Sequence, residues 1–375
     1  MKLEQKRILD LSYSLLGVLW YHIMLIFKTL GVSLKINRSE NHTTKDDIKK
    51  GLKYSRSINY FDVDLSSSGT TGDPTTVYAS PLHWISEQAA QYQYFRENGY
   101  RFRDRMILVR SYSPEPGQEI YKIDKLRNFI FISPFHLTQE NLKTIMPFLN
   151  GRYFLRGYPS SLEILSKLLE KNDKFKKPIS VFTASETLTK TQRMLIENRF
   201  KTRVYDWYGT SEPSVLLFQT IKTYPKYITP NYHCEYKIIE EGDNKIIYGK
   251  ANWDTLSNLG YYKTNDIAEV DEHGNIIAIK GRTSDIITVA DNSVPITNFL
   301  TAFYNIPGIV KFQILNSEYG VEFRFVLTDD NQKGTIDKIN KEISKRLVQI
   351  SYSVTFTKPL IKSSGGKTPF FIKTF

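Results

Sequence analysis

The sequence is nearly free of cysteine, with Cys234 as its one thiol among 375 residues. This scarcity excludes a disulfide within the chain and a structural zinc site of the cysteine type, and it favours a reducing compartment. Nucleic-acid motifs are also lacking, since there is no paired Cys/His finger and no aromatic RNP-type signature. We therefore expect the formal net charge of +12 to serve an anionic membrane or a phosphorylated substrate rather than a nucleic acid.

Charged residues are missing from one apolar segment, residues 11–27, which follows Lys2, Lys6 and Arg7. The segment is shorter than the roughly 20 residues of a membrane span. No small-residue cleavage site follows it, as a signal peptide would require. We expect residues 1–30 to form an apolar N-terminal helix that does not cross a membrane. This helix either packs in a groove of the protein or touches a membrane surface. We expect the protein to be cytoplasmic in both cases, and to lie at the inner face of the membrane if the helix touches it.

The Walker A loop of nucleotide hydrolases is also missing. That loop requires Gly, four residues and then Gly-Lys-Ser/Thr. In the stretch "SSSGTTGDPTT" (66–76), Gly72 is followed by Asp73 instead of lysine. A later "GKT" at residues 366–368 has Ile361 at the position of the first glycine. These departures exclude a P-loop nucleotide hydrolase.

The chain does contain enough apolar residues for a large core, with a hydrophobic fraction of 41%. Strand-like segments and helical segments alternate between residues 105 and 212, which predicts an α/β domain. The helical segment 159–172 places three leucines on one face, and Ser160 and Glu163 have the spacing of a capping box. These leucines are Leu162, Leu165 and Leu169.

The pattern changes after residue 230. Short antiparallel strands follow, joined by the turns "EGDN" and "EHGN". Beyond Gly281, strands mix with one long helical segment, which predicts a small α+β domain. We therefore predict a large N-terminal domain at residues 1–281 and a small C-terminal lid domain at residues 282–375.

Five segments carry groups suited to nucleotide chemistry. The small residues of the 66–76 stretch allow close approach of the backbone to phosphate. In "YGTSE", Glu212 could coordinate Mg²⁺ through oxygen. In "YKTND", Asp266 could accept hydrogen bonds from ribose hydroxyls. Arg282 follows a glycine turn in "GRTSD", and Lys367 lies in the glycine loop "SSGGK". Taken singly, each has an ordinary alternative, such as a surface loop, a solvated carboxylate or a mobile lysine.

Their order resembles that of the adenylate-forming superfamily, which includes acyl-CoA synthetases, peptide-synthetase adenylation domains and luciferases. The resemblance covers the chain from about residue 60 onward. Within the superfamily, "SSGTTGDPT", "GYPSSLEILSKLLE" and "NSVPITNF" are most similar to the phenylacetate-CoA ligase and CapK-type capsule-biosynthesis group. The resemblance implies an ATP-dependent ligase with a large α/β domain and a small mobile lid.

The resemblance also implies a role for individual residues. Lys367 would bridge the acyl carboxylate and the α-phosphate, Glu212 would ligate Mg²⁺, and His136 would gate the carboxylate pocket or be a structural histidine. Asp266 would bind the ribose, and Arg282 would assist the ribose or phosphate. The remaining nucleotide-binding residues would be Ser68, Gly69, Thr70, Thr71 and Gly72 at the β- and γ-phosphates, and Ala184, Ser185, Glu186, Trp207, Tyr208, Gly209 and Thr210 near adenine and the acyl group.

The implied reaction forms an acyl-adenylate and pyrophosphate from a carboxylic acid and ATP, with Mg²⁺ as cofactor. The acyl group would then pass to an acceptor, which in CapK-like enzymes of capsule polysaccharide biosynthesis would be a sugar or lipid-linked glycan. An aryl- or acyl-CoA ligase is the alternative enzyme, with CoA or a carrier thiol as acceptor. A degenerate, non-catalytic scaffold or sugar-binding subunit is the alternative outside enzymes.

Three departures from the family pattern motivate these alternatives. Asp73 stands where the phosphate loop often carries lysine, and Asn265 stands where glycine is usual, although asparagine tolerates positive φ better than most residues. Ala290 and Val289 replace a glycine and a basic residue in a loop that helps thioester formation in CoA ligases. This last departure puts CoA in doubt as the acceptor.

Overall fold

A computed structural model gives the fold of the chain. It describes residues 2–29, 40–50, 62–66, 76–112, 114–115, 117–170, 172–253, 259–282, 286–289, 292–296, 299, 302–303, 306–317, 320–328, 332–347, 351–356, 358–362 and 368–373. The helices and sheets of these ranges confirm the predicted α/β fold class.

The helices of the described ranges are α1 (Lys2–Thr29), α2 (Lys45–Lys49), α3 (Pro81–Glu97), α4 (Leu142–Ile145), α5 (Pro159–Leu168), α6 (Lys190–Phe200) and α7 (Gln332–Arg346). A 3₁₀ turn (Met146–Leu149) follows α4. The strands are β1 (His42–Thr43), β2 (Val63–Ser66), β3 (Thr76–Ala79), β4 (Met106–Val109), β5 (Tyr121–Asp124), β6 (Phe129–Ile132), β7 (Phe154–Gly157), β8 (Val181–Ala184), β9 (Val204–Gly209), β10 (Leu216–Gln219), β11 (Tyr227–Ile228), β12 (Cys234–Glu241), β13 (Asn244–Ala251), β14 (Tyr261–Val270), β15 (Ile276–Arg282), β16 (Ile286–Val289), β17 (Asn292–Pro295), β18 (Ile309–Ser317), β19 (Gly320–Leu327), β20 (Tyr352–Thr355) and β21 (Phe371–Lys373).

An eight-stranded sheet forms the centre of the large N-terminal region, with the strand order β11-β10-β9-β8-β7-β4-β6-β5. The five central strands β9, β8, β7, β4 and β6 are parallel, and antiparallel strands flank them on both sides. Parallel strands place their carboxyl ends at one edge of a sheet, where ligands of α/β proteins usually bind. This edge carries several of the predicted site residues.

Helices cover both faces of this sheet, because successive strand residues point to opposite sides. Phe154 and Phe182 lie in one cluster with Tyr94 of α3, whereas Leu155 and Val181 face α5 and α6. The three leucines predicted on one face of the helix, Leu162, Leu165 and Leu169, are fully buried in that second core. The predicted α/β layering is therefore present, with helices on each side of a mostly parallel sheet.

The predicted capping box at the start of α5 is wrong. Tyr158 is the N-cap residue and makes no side-chain capping bond, and Pro159 occupies the first turn. Ser160 instead donates hydrogen bonds to Glu186, and Glu163 binds Gln192 and Lys167. Ser160 and Glu163 have the spacing of a capping box, but both side chains form hydrogen bonds with residues outside α5 instead.

The N-terminal segment packs against the large region as a helix. Tyr21 and Met24 of α1 are buried, and a Cβ at Gly17 would lie 2.5 Å from the Cβ of Gln88 in α3. The glycine therefore allows the two helices to touch. Within the described ranges, none of the helices combines the length and the hydropathy that crossing a bilayer requires.

A second, five-stranded sheet contains β1, β12, β13, β14 and β15. Its two predicted hairpins are confirmed, since Glu241 pairs with Asn244 across the first turn and Gly242 and Gly274 have φ values of 56° and 79°. Beyond it lie the hairpin of β16 with β17 and a four-stranded sheet in the order β20-β19-β18-β21. That sheet and α7 share one apolar core, as expected for a small α+β unit. The boundary at Arg282 stays a prediction.

Candidate active site

Two predicted segments meet at the carboxyl edge of the central sheet. Ala184 ends β8 and pairs in register with Trp207 of β9. The segment "TASE" (183–186), which contains the predicted residues Ala184, Ser185 and Glu186, therefore leaves the sheet beside "YGTSE" (208–212). Gly209 fits this edge because a Cβ there would come within 2.7 Å of Leu216 on the neighbouring strand. The loop after it is held by Thr210 Oγ1, which lies 2.9 Å from Ser214 Oγ.

The third and fourth predicted segments lie next to Tyr208. The Tyr208 hydroxyl donates a 2.7 Å hydrogen bond to Asp266 Oδ2, and the Asp266 side chain is largely buried. Asp266 also pairs in register with Arg282 across the β14–β15 hairpin. Residues from "YGTSE", "YKTND" and "GRTSD" thus come together, although the side chain of Arg282 is outside the described part of the chain.

The unusual asparagine of "YKTND" has a structural explanation. Asn265 has a φ of 60°, in the left-handed region that glycine and asparagine tolerate best. The backbone amide of Asp266 then donates to Thr264 Oγ1 at 3.0 Å. Asn265 therefore supplies the bend that glycine would supply, and it does not disrupt the position of Asp266.

We expect a change at Asp266 to weaken ATP binding. Asn lacks the negative charge that strengthens hydrogen bonds from hydroxyl donors, so Asp266→Asn should raise the Kd for ATP by about tenfold. Calorimetry with ATP and Mg²⁺ measures this change. Asp243→Asn, at the exposed turn between β12 and β13, is the matched control and should leave Kd unchanged. An unchanged Kd for Asp266→Asn would contradict the ribose assignment.

Glu212, the predicted metal ligand, lies in the loop after β9 and is only 7% exposed. In the described ranges there is no group of three or more His, Cys, Asp or Glu side chains placed to hold a metal ion. Proteins commonly hold Mg²⁺ with one or two carboxylates while waters and substrate phosphates complete the shell. The assignment of Glu212 as the Mg²⁺ ligand stays a prediction.

Glu186 has a second role at this edge. Its carboxylate accepts hydrogen bonds from the Ser160 amide at 2.9 Å and from Ser160 Oγ at 3.0 Å. An acidic side chain at a helix N-terminus is stabilising, so Glu186 anchors the "TASE" loop to α5. Ser185, just before it, has a φ of 71°, which gives the loop a sharp bend. Its predicted contact with adenine or the acyl group stays a prediction.

Trp207 lies in the hydrophobic core. Its ring is 8% exposed, is parallel to Phe218 at 5.8 Å and packs 5.2 Å from Tyr94. This environment fits a core aromatic residue and leaves little of the ring free for stacking on a base. Tyr208 is less buried and also reaches Asp266, which makes it the better placed of the two predicted aromatic residues.

His136 is hydrogen-bonded within its own loop, because its Nδ1 lies 2.8 Å from Ser133 Oγ. Its neighbour Phe135 contacts the C-terminal part of the chain, where Lys362 Nζ lies 5.2 Å from the Phe135 ring centroid. Lys362 precedes the predicted catalytic Lys367 by five residues. The contact therefore places Lys362 against the loop of His136.

Several predicted residues lie outside the described part of the chain. These are Ser68, Gly69, Thr70, Thr71, Gly72 and Lys367, together with Asp73 and Ala290. The strands on either side of the predicted phosphate loop are described and form an antiparallel pair, in which Ser66 pairs with Thr76.

Sequence reasoning missed two buried charged residues near this edge. Asp206 accepts 2.6 Å hydrogen bonds from Thr183 and Tyr227, and burial raises the pKa of its carboxyl group. Arg156, near the end of β7, is 7% exposed and its guanidinium lies 5.0 Å from the Phe95 ring centroid. The signal was available, since each charge interrupts an apolar strand, in "VYDW" and "FLRG".

Solved structures with this fold are adenylate-forming ligases. One is a 2-hydroxyisobutyryl-CoA ligase in the postadenylation state in complex with R3-HIB-AMP, with a TM-score of 0.62 and 12% identity over 89% of this chain and 79% of that chain. The chain therefore shares its fold with an adenylate-forming ligase. No family model matches it.

Relatives in sequence point to the same class. The chain is 24% identical over 364 residues to Protein CapK of Staphylococcus aureus, and the match covers 88% of this chain and 78% of CapK. It is 25% identical over 240 residues to a 2-succinylbenzoate–CoA ligase of Staphylococcus epidermidis, over 59% of this chain and 47% of that enzyme. The chain thus spans about half the length of this second relative. The predicted resemblance to adenylate-forming ligases, including the CapK-type group, is confirmed.

Proposed function

We propose that the chain uses ATP to adenylate a carboxylic acid. The observation that carries this proposal is the hydrogen bond between Tyr208 and Asp266, because it joins two segments that are far apart in sequence and that the resemblance assigns to adenine and ribose. The fold shared with a ligase in complex with an acyl-AMP molecule supports it. Exchange of labelled pyrophosphate into ATP, dependent on an added acid, tests the proposal directly.

In the proposed reaction, a carboxylate oxygen of the acid attacks the α-phosphorus of ATP. The bond from that phosphorus to the bridging oxygen of the β-phosphate breaks, and pyrophosphate leaves. Both reactants are anions, so Lys367 offsets their repulsion and stabilises charge in the transition state. The backbone of residues 68–72 holds the β- and γ-phosphates, and Arg282 assists the ribose or phosphate. Glu212 holds Mg²⁺, which supplies further charge neutralisation when bound.

The phosphate loop contains one residue whose charge opposes this role. Asp73 adds a negative charge beside the proposed triphosphate site, so Asp73→Lys should bind ATP as tightly as the wild type or up to about tenfold more tightly. Calorimetric titration with ATP and Mg²⁺ measures the effect, with Asp243→Lys as a charge-matched control. A large loss of affinity specific to Asp73→Lys would assign a structural or catalytic role to this carboxylate.

For the second half-reaction, we propose transfer of the acyl group to a sugar or lipid-linked glycan in surface-polysaccharide biosynthesis. The similarity to CapK supports this acceptor, whereas the similarity to 2-succinylbenzoate–CoA ligase supports CoA or a carrier thiol. Ala290 in the loop after "GRTSD" weighs against CoA. Incubation of the preformed adenylate with CoA distinguishes the two, because a CoA ligase would release AMP and form the thioester.

We also propose that α1 contacts the inner surface of the cytoplasmic membrane. Its outer side exposes large apolar residues, and the basic net charge favours anionic lipid. These exposed residues are Leu15, Leu16, Leu19, Leu25 and Ile26.

Leu19→Glu should lower cosedimentation with phosphatidylglycerol vesicles by several-fold, since it places a charge on the proposed lipid-facing side. The control Leu126→Glu changes an equally exposed leucine in the β5–β6 turn and should have no effect. Equal sedimentation of both variants and the wild type would contradict the membrane contact.

A further inference from the structure

A buried arginine lies beside the proposed active site, and the described residues place no counter-charge next to it. Arg156 belongs to β7, where it pairs in register with Leu108 of β4 and Phe182 of β8. Its Nε atom is enclosed and has no hydrogen-bond partner among the described residues. An arginine that is this deeply buried normally has a carboxylate or several hydrogen-bond acceptors around it.

The surroundings of Arg156 are aromatic and basic. Its guanidinium lies over the ring of Phe95, and the titratable side chains that act on it are Arg110, Tyr94 and Tyr158. None of these is a carboxylate. Burial and the like charge of Arg110 lower the pKa of Arg156 to about 9, so it remains a cation at neutral pH. Two neighbouring cations without an anion are unfavourable unless a ligand supplies one.

Arg110 approaches the same place from the next strand. It follows β4 directly, and its guanidinium lies 5.3 Å from the ring centroid of Tyr158. The Tyr158 hydroxyl in turn lies 2.8 Å from Ser111 Oγ. Ser111 has a φ of 53°, which turns the chain away at the end of the strand. The two arginines therefore occupy the carboxyl ends of adjacent parallel strands.

This position lies within the sheet edge assigned above to the nucleotide and the acid. Gly157 follows Arg156 and pairs in register with Thr183. Thr183 is the first residue of "TASE", and Ala184 is the second. The guanidinium of Arg156 lies over Phe95, which belongs to the same apolar cluster as Trp207.

We propose that Arg156, assisted by Arg110, binds a second anionic group on the acid substrate, remote from the carboxylate that is adenylated. The substrate class is then a dicarboxylic or phosphorylated acid with an apolar or short body. Arg156 acts as a specificity-determining residue, because an acid without the second anion leaves a buried cation unpaired. This inference rests on the proposed function for the identity of the reaction.

The test compares acids that differ in one terminal group: glutarate with monomethyl glutarate, phthalate with benzoate, and 3-phosphoglycerate with glycerate. Acid-dependent exchange of pyrophosphate into ATP is measured for the wild type, Arg156→Met and Arg156→Lys. We expect the wild type to favour dianionic members. Arg156→Met should lower kcat/KM for these acids by about 30-fold or more and leave monoanionic acids nearly unchanged. Arg156→Lys should retain part of the preference, because it keeps the charge but loses the planar fork.

The control is Arg127→Met, because Arg127 also lies over a phenylalanine ring, 5.4 Å from the centroid of Phe129, but at the far edge of the sheet. It should behave as wild type. Equal exchange with both members of each pair, or an equal loss for both in Arg156→Met, would overturn the inference while leaving adenylation intact. A fall in ATP affinity for Arg156→Met with no change in acid preference would assign Arg156 to the triphosphate and also overturn it.

A second measurement separates the inference from the proposed function. If no acid in the panel supports exchange, calorimetry of the dianionic acids with an unreactive ATP analogue present still reports on the site. Binding to the wild type but not to Arg156→Met would support the anion site while counting against adenylation of these acids. Absence of binding to the wild type would overturn the inference.

Discussion

Replacement of Lys367 by alanine should lower acid-dependent pyrophosphate exchange by about 100- to 1,000-fold while ATP binding changes less than about threefold. The expected loss is of the size seen when a charge-stabilising donor is removed from an active site. Lys367 would act on the transition state, in which negative charges on the acid and the α-phosphate approach each other. In the proposed site the phosphate loop and Asp266 would bind ATP without Lys367, so the Kd for ATP should be nearly independent of this lysine.

The matched control is Lys358→Ala. Lys358 lies in the same C-terminal region, is exposed, and donates a 2.9 Å hydrogen bond to Glu322. Its removal deletes an equal charge away from the proposed site, and exchange should be unaffected. Exchange at the wild-type rate in Lys367→Ala would show that another group neutralises the reacting anions.

Replacement of Glu212 by glutamine should be the other severe change. Gln is a neutral and weaker ligand for Mg²⁺, so we expect exchange at 1 mM Mg²⁺ to fall by about 100-fold or more. Raising the Mg²⁺ concentration should restore part of the rate, because the defect is in metal binding. The measurement is the exchange rate as a function of Mg²⁺ concentration in the wild type and the variant.

The control for this prediction is Glu240→Gln, an exposed glutamate near the β12–β13 turn that pairs with Lys245. It should follow the wild-type Mg²⁺ curve. If Glu212→Gln also follows that curve, Glu212 is not the metal ligand and its burial serves the loop alone. A defect that Mg²⁺ does not relieve would indicate a positional role for Glu212.

Local patterns in the sequence predicted much of the fold because they depend on short-range rules. The leucines of α5 repeat at helical spacing, and they are buried together. The hairpin turns contain Gly242 and Gly274 at positive φ, where glycine is favoured. The alternation of strands and helices between residues 105 and 212 predicts helices packed on a sheet, since each apolar face must be covered.

Other features depend on partners that are distant in sequence. Ser160 and Glu163 have the spacing of a capping box, yet Ser160 binds Glu186 and Glu163 binds Gln192. Trp207 could equally stack on a base or fill a core, and only its neighbours Tyr94 and Phe218 indicate the core. Such outcomes are decided by tertiary packing, which spacing alone does not encode.

In the candidate site too, some residues could be predicted from the sequence and others depend on the tertiary structure. The order of motifs identified Tyr208, Asp266 and Arg282 as a group, and the structure brings Tyr208 to Asp266 and pairs Asp266 in register with Arg282. Arg156 was missed because its one sequence signal, a charge that interrupts an apolar strand, does not by itself indicate a binding role. Its significance depends on burial and on the lack of a described anion nearby, and both are three-dimensional properties.

The central claim is attack of a carboxylate oxygen on the α-phosphorus of ATP. It is tested most directly with an acid labelled with ¹⁸O in both carboxylate oxygens, incubated with the protein, ATP, Mg²⁺ and hydroxylamine as acyl acceptor. The account predicts pyrophosphate and AMP as products, with one ¹⁸O atom in the AMP detected by mass spectrometry. Formation of ADP with ¹⁸O in inorganic phosphate would show attack on the γ-phosphorus and contradict the account. Absence of both ATP binding and turnover would instead favour the non-catalytic scaffold.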